Sequence, residues 1–260
     1  MIRLTYLLRR KPGMTLVDFQ TYWRKVHGPL VASMGNALNI LRYVQVHTIV
    51  EGSTDEQASG ARGKMEEPYD GVAELWWNNR ADLIAARESQ IGKKMGEILF
   101  EDEKRFIDLP NSPLWFAYEY PQINPTPENI VATEHSSLVK FYYPLRQLPG
   151  LSMENAQLYW RTNHGPLIRR IGEAGQFKRY IQVHRYQDPL EIDLREARNA
   201  VVEPYIGHAE LWFDRNGAIS PSPERERGNQ LAIEDESKFI DFSRSSMWFA
   251  KEHVFIDYHY

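Results

Sequence analysis

The stretch Tyr22-Trp23-Arg24-Lys25-Val26-His27-Gly28-Pro29-Leu30 returns 137 residues later as Tyr159-Trp160-Arg161-Thr162-Asn163-His164-Gly165-Pro166-Leu167. Tyr, Trp, Arg, His, Gly, Pro and Leu keep their order and spacing, which composition alone does not produce, so the chain is an internal duplication. Working outward, Tyr43-Val44-Gln45-Val46-His47 recurs as Tyr180-Ile181-Gln182-Val183-His184. Ala73-Glu74-Leu75-Trp76-Trp77 recurs as Ala209-Glu210-Leu211-Trp212-Phe213. Phe106-Ile107-Asp108 and Trp115-Phe116-Ala117 return as Phe239-Ile240-Asp241 and Trp248-Phe249-Ala250.

The first copy reads as a mixed α and β unit. Ile2, Leu4, Tyr6 and Leu8 alternate with Arg3, Thr5, Leu7 and Arg9, a strand with one apolar face. After Lys11-Pro12-Gly13, Thr15 and Asp18 form a capping-box-like start to a helix. Its apolar face is Leu16, Phe19, Trp23 and Val26, and Gly28-Pro29 disturbs it just after His27. Strands are expected over 41–50, 70–77 and 114–120, with a long helix over 80–106 carrying Ile84, Ile91, Met95, Ile98 and Leu99 as apolar positions. The order β-α-β-β-α-β is that of a ferredoxin-like plait. Residues 1–120 form the first plait, the proline-bearing polar segment 121–136 a linker, and 137–260 the second plait. The copies diverge in loops: 51–66 reads as an aperiodic surface loop, 187–203 as partly helical, and the last long helix starts late within 215–228.

Composition narrows the function. A 42% hydrophobic chain with 25% charged residues builds ordinary cores, and a net charge of −4 gives no reason to expect nucleic acid or an anionic membrane. The absence of cysteine excludes disulfides, thiolate nucleophiles and cysteine-bound metals. Arg3 and Arg9 interrupt the short apolar N-terminus, so it lacks the apolar core of a signal peptide, and no apolar run approaches a membrane span. A cytoplasmic protein is expected.

The ordered motifs Tyr-Trp-x-x-x-His-Gly-Pro-Leu, Arg-Tyr-x-Gln-x-His and Ala-Glu-Leu-Trp, each present twice, resemble the EthD family of the dimeric α/β-barrel superfamily. The resemblance covers nearly all of both halves. It implies an α+β fold in which two plaits pair their sheets into a barrel, here a pseudo-dimer within one chain. It also implies small-molecule chemistry of the kinds found in that superfamily, among them cofactor-free monooxygenases, cyclases, isomerases and dehydratases. Fold alone does not choose among them.

The candidate chemistry rests on residues that occur in both copies. His27 and His164 are candidate general bases, since imidazole both takes and gives a proton near neutrality. The alternative for each is a helix-terminal histidine that hydrogen-bonds carbonyls. Tyr43, Gln45 and His47, like Tyr180, Gln182 and His184, share a strand face; if it lines the barrel, it offers a phenol, an amide and an imidazole to an oxygenated substrate. Glu74 and Glu210 sit mid-strand among apolar residues, where a charge needs a partner. A Glu–Arg or Glu–His structural pair, with Arg42 or Arg179 as the arginine, is one reading, and catalysis is the other. Trp76 and Trp212, on the Glu face, are candidate walls for an aromatic substrate, while the other paired tryptophans read as core.

No metal is expected, because the only set in view, His27, His47 and Glu74, lacks metal-ligand spacing. No phosphate loop, dinucleotide fingerprint or nucleophile elbow is present, so no cofactor is expected. The preferred reading is cofactor-independent proton transfer on an apolar or aromatic oxygenated small molecule, by dehydration, cyclisation, decarboxylation or isomerisation. A cofactor-free monooxygenase and a non-catalytic small-molecule binding protein are the alternatives. The sequence leaves open which copy works and whether two chains form a homodimer.

Overall fold

Eight strands form where apolar residues alternate along the chain: β1 Ile2–Leu8, β2 Arg42–Thr48, β3 Gly71–Trp77, β4 Leu114–Ile123, β5 Leu138–Leu145, β6 Arg179–Tyr186, β7 Gly207–Asp214 and β8 Trp248–Asp257. The computed structural model describes residues 1–49, 61–126, 130–215 and 222–258. Most of the loop expected at 51–66, the strand end at Val50, three linker residues and part of the segment 215–228 lie outside the described residues.

The strands close an antiparallel barrel in the order β1-β3-β2-β8-β5-β7-β6-β4. Each repeat contributes four adjacent strands, β4-β1-β3-β2 and β8-β5-β7-β6, the arrangement of a ferredoxin-like plait. The two plaits are zipped by β2 against β8 and β4 against β6. This pairing explains why β4 runs to Ile123, into the proline-bearing segment: Pro121 stands opposite Ile181 at the seam. Beyond it the connection is held to the barrel, because Ala132 N–H donates to Glu252 Oε2 at 2.7 Å and Glu252 N–H donates to the Ala132 carbonyl at 2.9 Å.

Helices cover the outside: α1 Leu16–Tyr22, α2 Gly28–Met34, α3 Arg80–Glu88, α4 Gln90–Phe106, α5 Met153–Tyr159, α6 Gly165–Ile171, α7 Pro189–Ala197 and α8 Pro223–Glu236. The helix expected over 80–106 is two, because Ser89 is extended (ψ 149°) and its hydroxyl caps α4 by accepting from Gly92 N–H. Ile91 and Ile98 are therefore 61% and 41% exposed rather than core. The partly helical character expected for 187–203 is α7.

Each copy of the duplicated motif is a π-helical turn, Trp23–His27 joining α1 to α2 and Trp160–His164 joining α5 to α6. The extra residue in the turn shifts the helical phase. Trp23 and His27 stay buried, while Val26, expected on the apolar face, turns outward at 45% exposure.

Most strand positions are buried on both faces, the exceptions gathering toward the ends of β4, β6 and β8. The barrel interior holds Val44, Val46, Val72, Trp115, Ile181 and Val183, and a second and third core lie between the sheet and each repeat's helices. Alternation fixes two faces without saying which is inner. The expectation that Tyr43, Gln45 and His47 line the barrel is corrected here: the valines face inward, and Tyr43 packs in the sheet–helix core. The same holds for Tyr180, Gln182 and His184. An eight-stranded barrel is narrow enough for side chains to fill it, and here the valines pack with Trp76, Trp115, Trp212 and Trp248.

Candidate functional site

The π turn explains much of the duplicated motif. Its widened register leaves the Trp23 carbonyl accepting from Gly28 N–H and from Gln45 Nε2 at 2.8 Å. Gly28 is required for that approach, since a Cβ there would lie 2.3 Å from the Phe255 ring and 2.9 Å from Gln45 Nε2. Gln45 Nε2 also donates to Tyr43 Oη at 2.9 Å, and its Oε1 accepts from His47 Nε2 at 2.9 Å. His47 stacks on Trp23 at 4.6 Å and 8°. Burial, then His253 and Arg24, hold His47 well below the usual imidazole range, so it is a neutral donor. Repeat 2 reproduces the set: Gln182 Nε2 donates to the Trp160 carbonyl at 2.9 Å, His184 stacks on Trp160 at 4.5 Å, and burial lowers His184 to about 3. Gln45, His47, Gln182 and His184 thus hold the helix turns onto the sheet.

His27 has a different setting. Its Nδ1 lies 2.8 Å from Asp102 Oδ2, and Tyr22 Oη donates to Asp102 Oδ1 at 2.7 Å. The hydrogen bond from His27 leads the causes that hold the Asp102 carboxyl below its ordinary range, opposed by burial and reinforced by Tyr22. A carboxylate on Nδ1 fixes the proton there and leaves Nε2 as the free lone pair. Among the described residues Nε2 has no hydrogen-bond partner. His164, Asp235 and Tyr159 repeat the arrangement at 2.9 and 2.7 Å. Asp102 and Asp235 were missed in the sequence. Their signal was present, since Glu101-Asp102-Glu103 and Glu234-Asp235-Glu236 stand at the same distance before the repeated Phe-Ile-Asp.

His27 opens onto a cavity of about 450 Å³ between the outer face of the first sheet and its helices. Leu4, Leu8, Val31, Leu75, Trp77 and Phe116 make most of its wall apolar. Two phenols interrupt it. Tyr43 accepts from Gln45, and Tyr6 Oη is buried with no well-formed hydrogen bond among the described residues. Burial raises both phenols above their ordinary range, so they stay protonated donors.

The rim comes from the other repeat. Leu194 and Ala197 of α7 line the cavity, and Arg198 pairs with Glu103 through two nitrogens at 2.8 and 3.1 Å while its guanidinium lies 5.4 Å over the Tyr6 ring. The reverse contact exists too: Arg62 of repeat 1 pairs with Glu236 of repeat 2 at 2.6 and 2.9 Å, 5.6 Å over Tyr143. Inside repeat 2, Phe141, Phe177, Phe213 and Phe249 stand where repeat 1 has Leu4, Ile40, Trp77 and Phe116. Their rings pack at 5.3–6.2 Å, and Phe141 and Phe177 are larger than the Leu4 and Ile40 they replace.

Glu74, Glu210, Trp76 and Trp212 lie on the opposite side of the sheet, inside the barrel, and none of them lines the cavity. The partners of the two carboxylates are Arg3 and Lys140, neighbours across the barrel, rather than Arg42 and Arg179. Arg3 Nη2 is 2.6 Å from Glu74 and also pairs with Glu210; Lys140 Nζ is 2.8, 3.1 and 3.2 Å from Glu74, Glu210 and Glu252. Trp76 and Trp212 donate to Glu119 and Glu252, each at 2.8 Å. The network repeats across the two halves, with Lys140 in place of Arg3 and His208 in place of Val72. His208 Nε2 lies 3.1 Å from Glu210 Oε1, giving Glu210 a contact that Glu74 lacks. Burial, then the charges of Glu210 and Glu252, push Glu74 up to about 8 against Arg3 and Lys140. Glu210 is held well below its ordinary value, because Arg3, Lys140 and His208 together outweigh its burial.

His27, His47 and Glu74 do not converge, since the sheet separates Glu74 from the other two. Glu74, His208 and Glu210 do bring ligand atoms within 4.8 Å, but Arg3 and Lys140 already hold both carboxylates. Among the described residues no helix is long and apolar enough to cross a membrane.

The EthD domain profile matches residues 11–110 and 148–243, one segment in each repeat. No functionally curated protein matches the chain. Among solved structures, an anthrone oxidase-like protein superposes with a TM-score of 0.56 at 8% identity, over 99% of this chain and 94% of that one. A candidate monooxygenase from Fusobacterium nucleatum gives 0.51 at 8% identity, over 97% and 93%. At such identity the likeness is one of fold.

Proposed function

The chain belongs to the EthD domain family, and from that premise we propose that it is a cofactor-independent enzyme moving a proton on an apolar, oxygen-bearing small molecule in the first-repeat cavity. One observation carries the reading: His27 lines an apolar cavity with Nδ1 tied to Asp102 and Nε2 unengaged. A base so held needs no reorientation to take a proton from a carbon next to a carbonyl or from a phenol. Tyr6 and Tyr43 are the donors for the oxygen that gains charge. The resulting enolate is the shared intermediate of isomerisation, cyclisation and loss of water; in loss of carbon dioxide the breaking carbon–carbon bond leaves the enolate, and the imidazole gives it a proton.

Untargeted mass spectrometry on a metabolite extract, with wild type, His27→Ala and His164→Ala, tests this. Product that depends on His27 and not on His164 is expected; undiminished product with His27→Ala would sink the proposal. The fold neighbour described as anthrone oxidase-like supports a second reading, in which the same deprotonation delivers a carbanion to dioxygen. A product that gains oxygen, and forms only in air, selects it.

A further inference from the structure

The mouth of the cavity is built from α3, α4 and the end of α7, and it carries Arg87, Lys93 and Arg198 against Glu97 and Glu103. One positive charge is in excess there, although the whole chain is negative at −4. Glu103 is taken by Arg198 in a two-nitrogen pair. Lys93 and Glu97 are four residues apart on exposed positions of α4, the spacing at which helix side chains meet. Arg87 remains. It is half-buried on the last turn of α3, lines the cavity, and has neither an ion pair nor a hydrogen bond among the described residues.

Burial and the neighbouring Arg198 both disfavour its charge, with only the exposed Asp193 opposing them. A guanidinium that has lost part of its water and faces a second cation is matched by an anion that accepts two parallel N–H bonds. We propose that the cavity takes an anionic ligand, an apolar body whose carboxylate pairs with Arg87 at the mouth. This rests on the first-repeat cavity being the working site, and it adds the chemical class of what enters. The apolar wall receives the body of the ligand, while Arg87 sets its direction of entry.

The probes are 2-naphthoate and its neutral methyl ester, titrated by calorimetry into wild type, Arg87→Gln, Arg87→Lys and Lys93→Gln. The acid is expected to bind wild type about tenfold more tightly than the ester. Arg87→Gln removes that preference and leaves ester binding within about twofold; Arg87→Lys restores part of it, and Lys93→Gln keeps most of it. Equal binding of acid and ester to wild type, an undiminished preference in Arg87→Gln, or no binding of either probe overturns the proposal. His27→Ala is expected to bind 2-naphthoate as wild type does. Turnover that survives in that variant would end the proton-transfer reading and leave the ligand class standing.

Discussion

Replacing Glu74 by Gln should make the protein more resistant to alkaline pH than the wild type. Glu74 is fully buried between Arg3 and Lys140, with Glu210 and Glu252 competing for the same cations. Its pKa rises from 4.5 to about 8, so the folded chain keeps a proton that the unfolded chain has released. Stability from this group is therefore full below 4.5 and is lost as pH rises to 8. The loss is about 1.4 kcal/mol per pH unit, a ceiling of roughly 5 kcal/mol across the window. Glutamine imitates the protonated carboxyl and has nothing to lose. Near pH 5 the two proteins should differ by about 1 kcal/mol, the scale of one altered hydrogen bond. By pH 9 the variant should lead by roughly 3–5 kcal/mol more than it did at pH 5. Urea unfolding at pH 5, 7 and 9, followed by tryptophan fluorescence and circular dichroism together, measures the gap. Parallel pH profiles for the two proteins would refute the account of the barrel interior.

Glu210→Gln should behave in the opposite sense, since its folded pKa is depressed and its stabilisation is present above about 4.5; a lowered melting temperature at pH 7 checks it. Asp102→Asn should cut turnover on the order of 10²-fold while substrate binding changes little, because it disturbs the tautomer of His27 and leaves the cavity intact; a kcat-against-KM comparison reads this. Gln45→Leu should cost about 1–3 kcal/mol of stability by removing one of the two donors to the Trp23 carbonyl and leaving the buried His47 Nε2–H unpaired, which urea unfolding reads. Phe141→Leu with Phe177→Ile should lower stability by about 1–3 kcal/mol and raise the binding stoichiometry of an apolar probe from one site toward two.

The duplication, the plait order and the alternating faces of β1, β2 and β3 were legible in the sequence because they are local periodicities and repeated strings. What was not legible is what depends on closure. Val44 and Gln45 are both fully buried, so nothing in their alternation tells barrel from helix layer. Arg3 and Lys140 read as the polar face of ordinary strands until the barrel brings them between four carboxylates. His27 was legible through its repeated motif and Asp102 only through the neighbouring one, since helix α4 must pack against the π turn before they meet. Arg198 and Glu103 carried no signal, being 95 residues apart and in different repeats.

That exchange of arms has a consequence for how the protein is made. On the ribosome the first repeat emerges complete to Ile123, yet its β2 edge stays unpaired until β8 appears, and its cavity stays uncapped until residue 198. At ordinary elongation rates of about 5–20 residues per second, the wait for β8 is on the order of ten seconds. During it the nascent chain shows an open strand edge and an apolar hollow to solvent or to chaperones. Two copies fused in one polypeptide guarantee that the missing half arrives, and arrives tethered, so maturation does not depend on the concentration of a second chain.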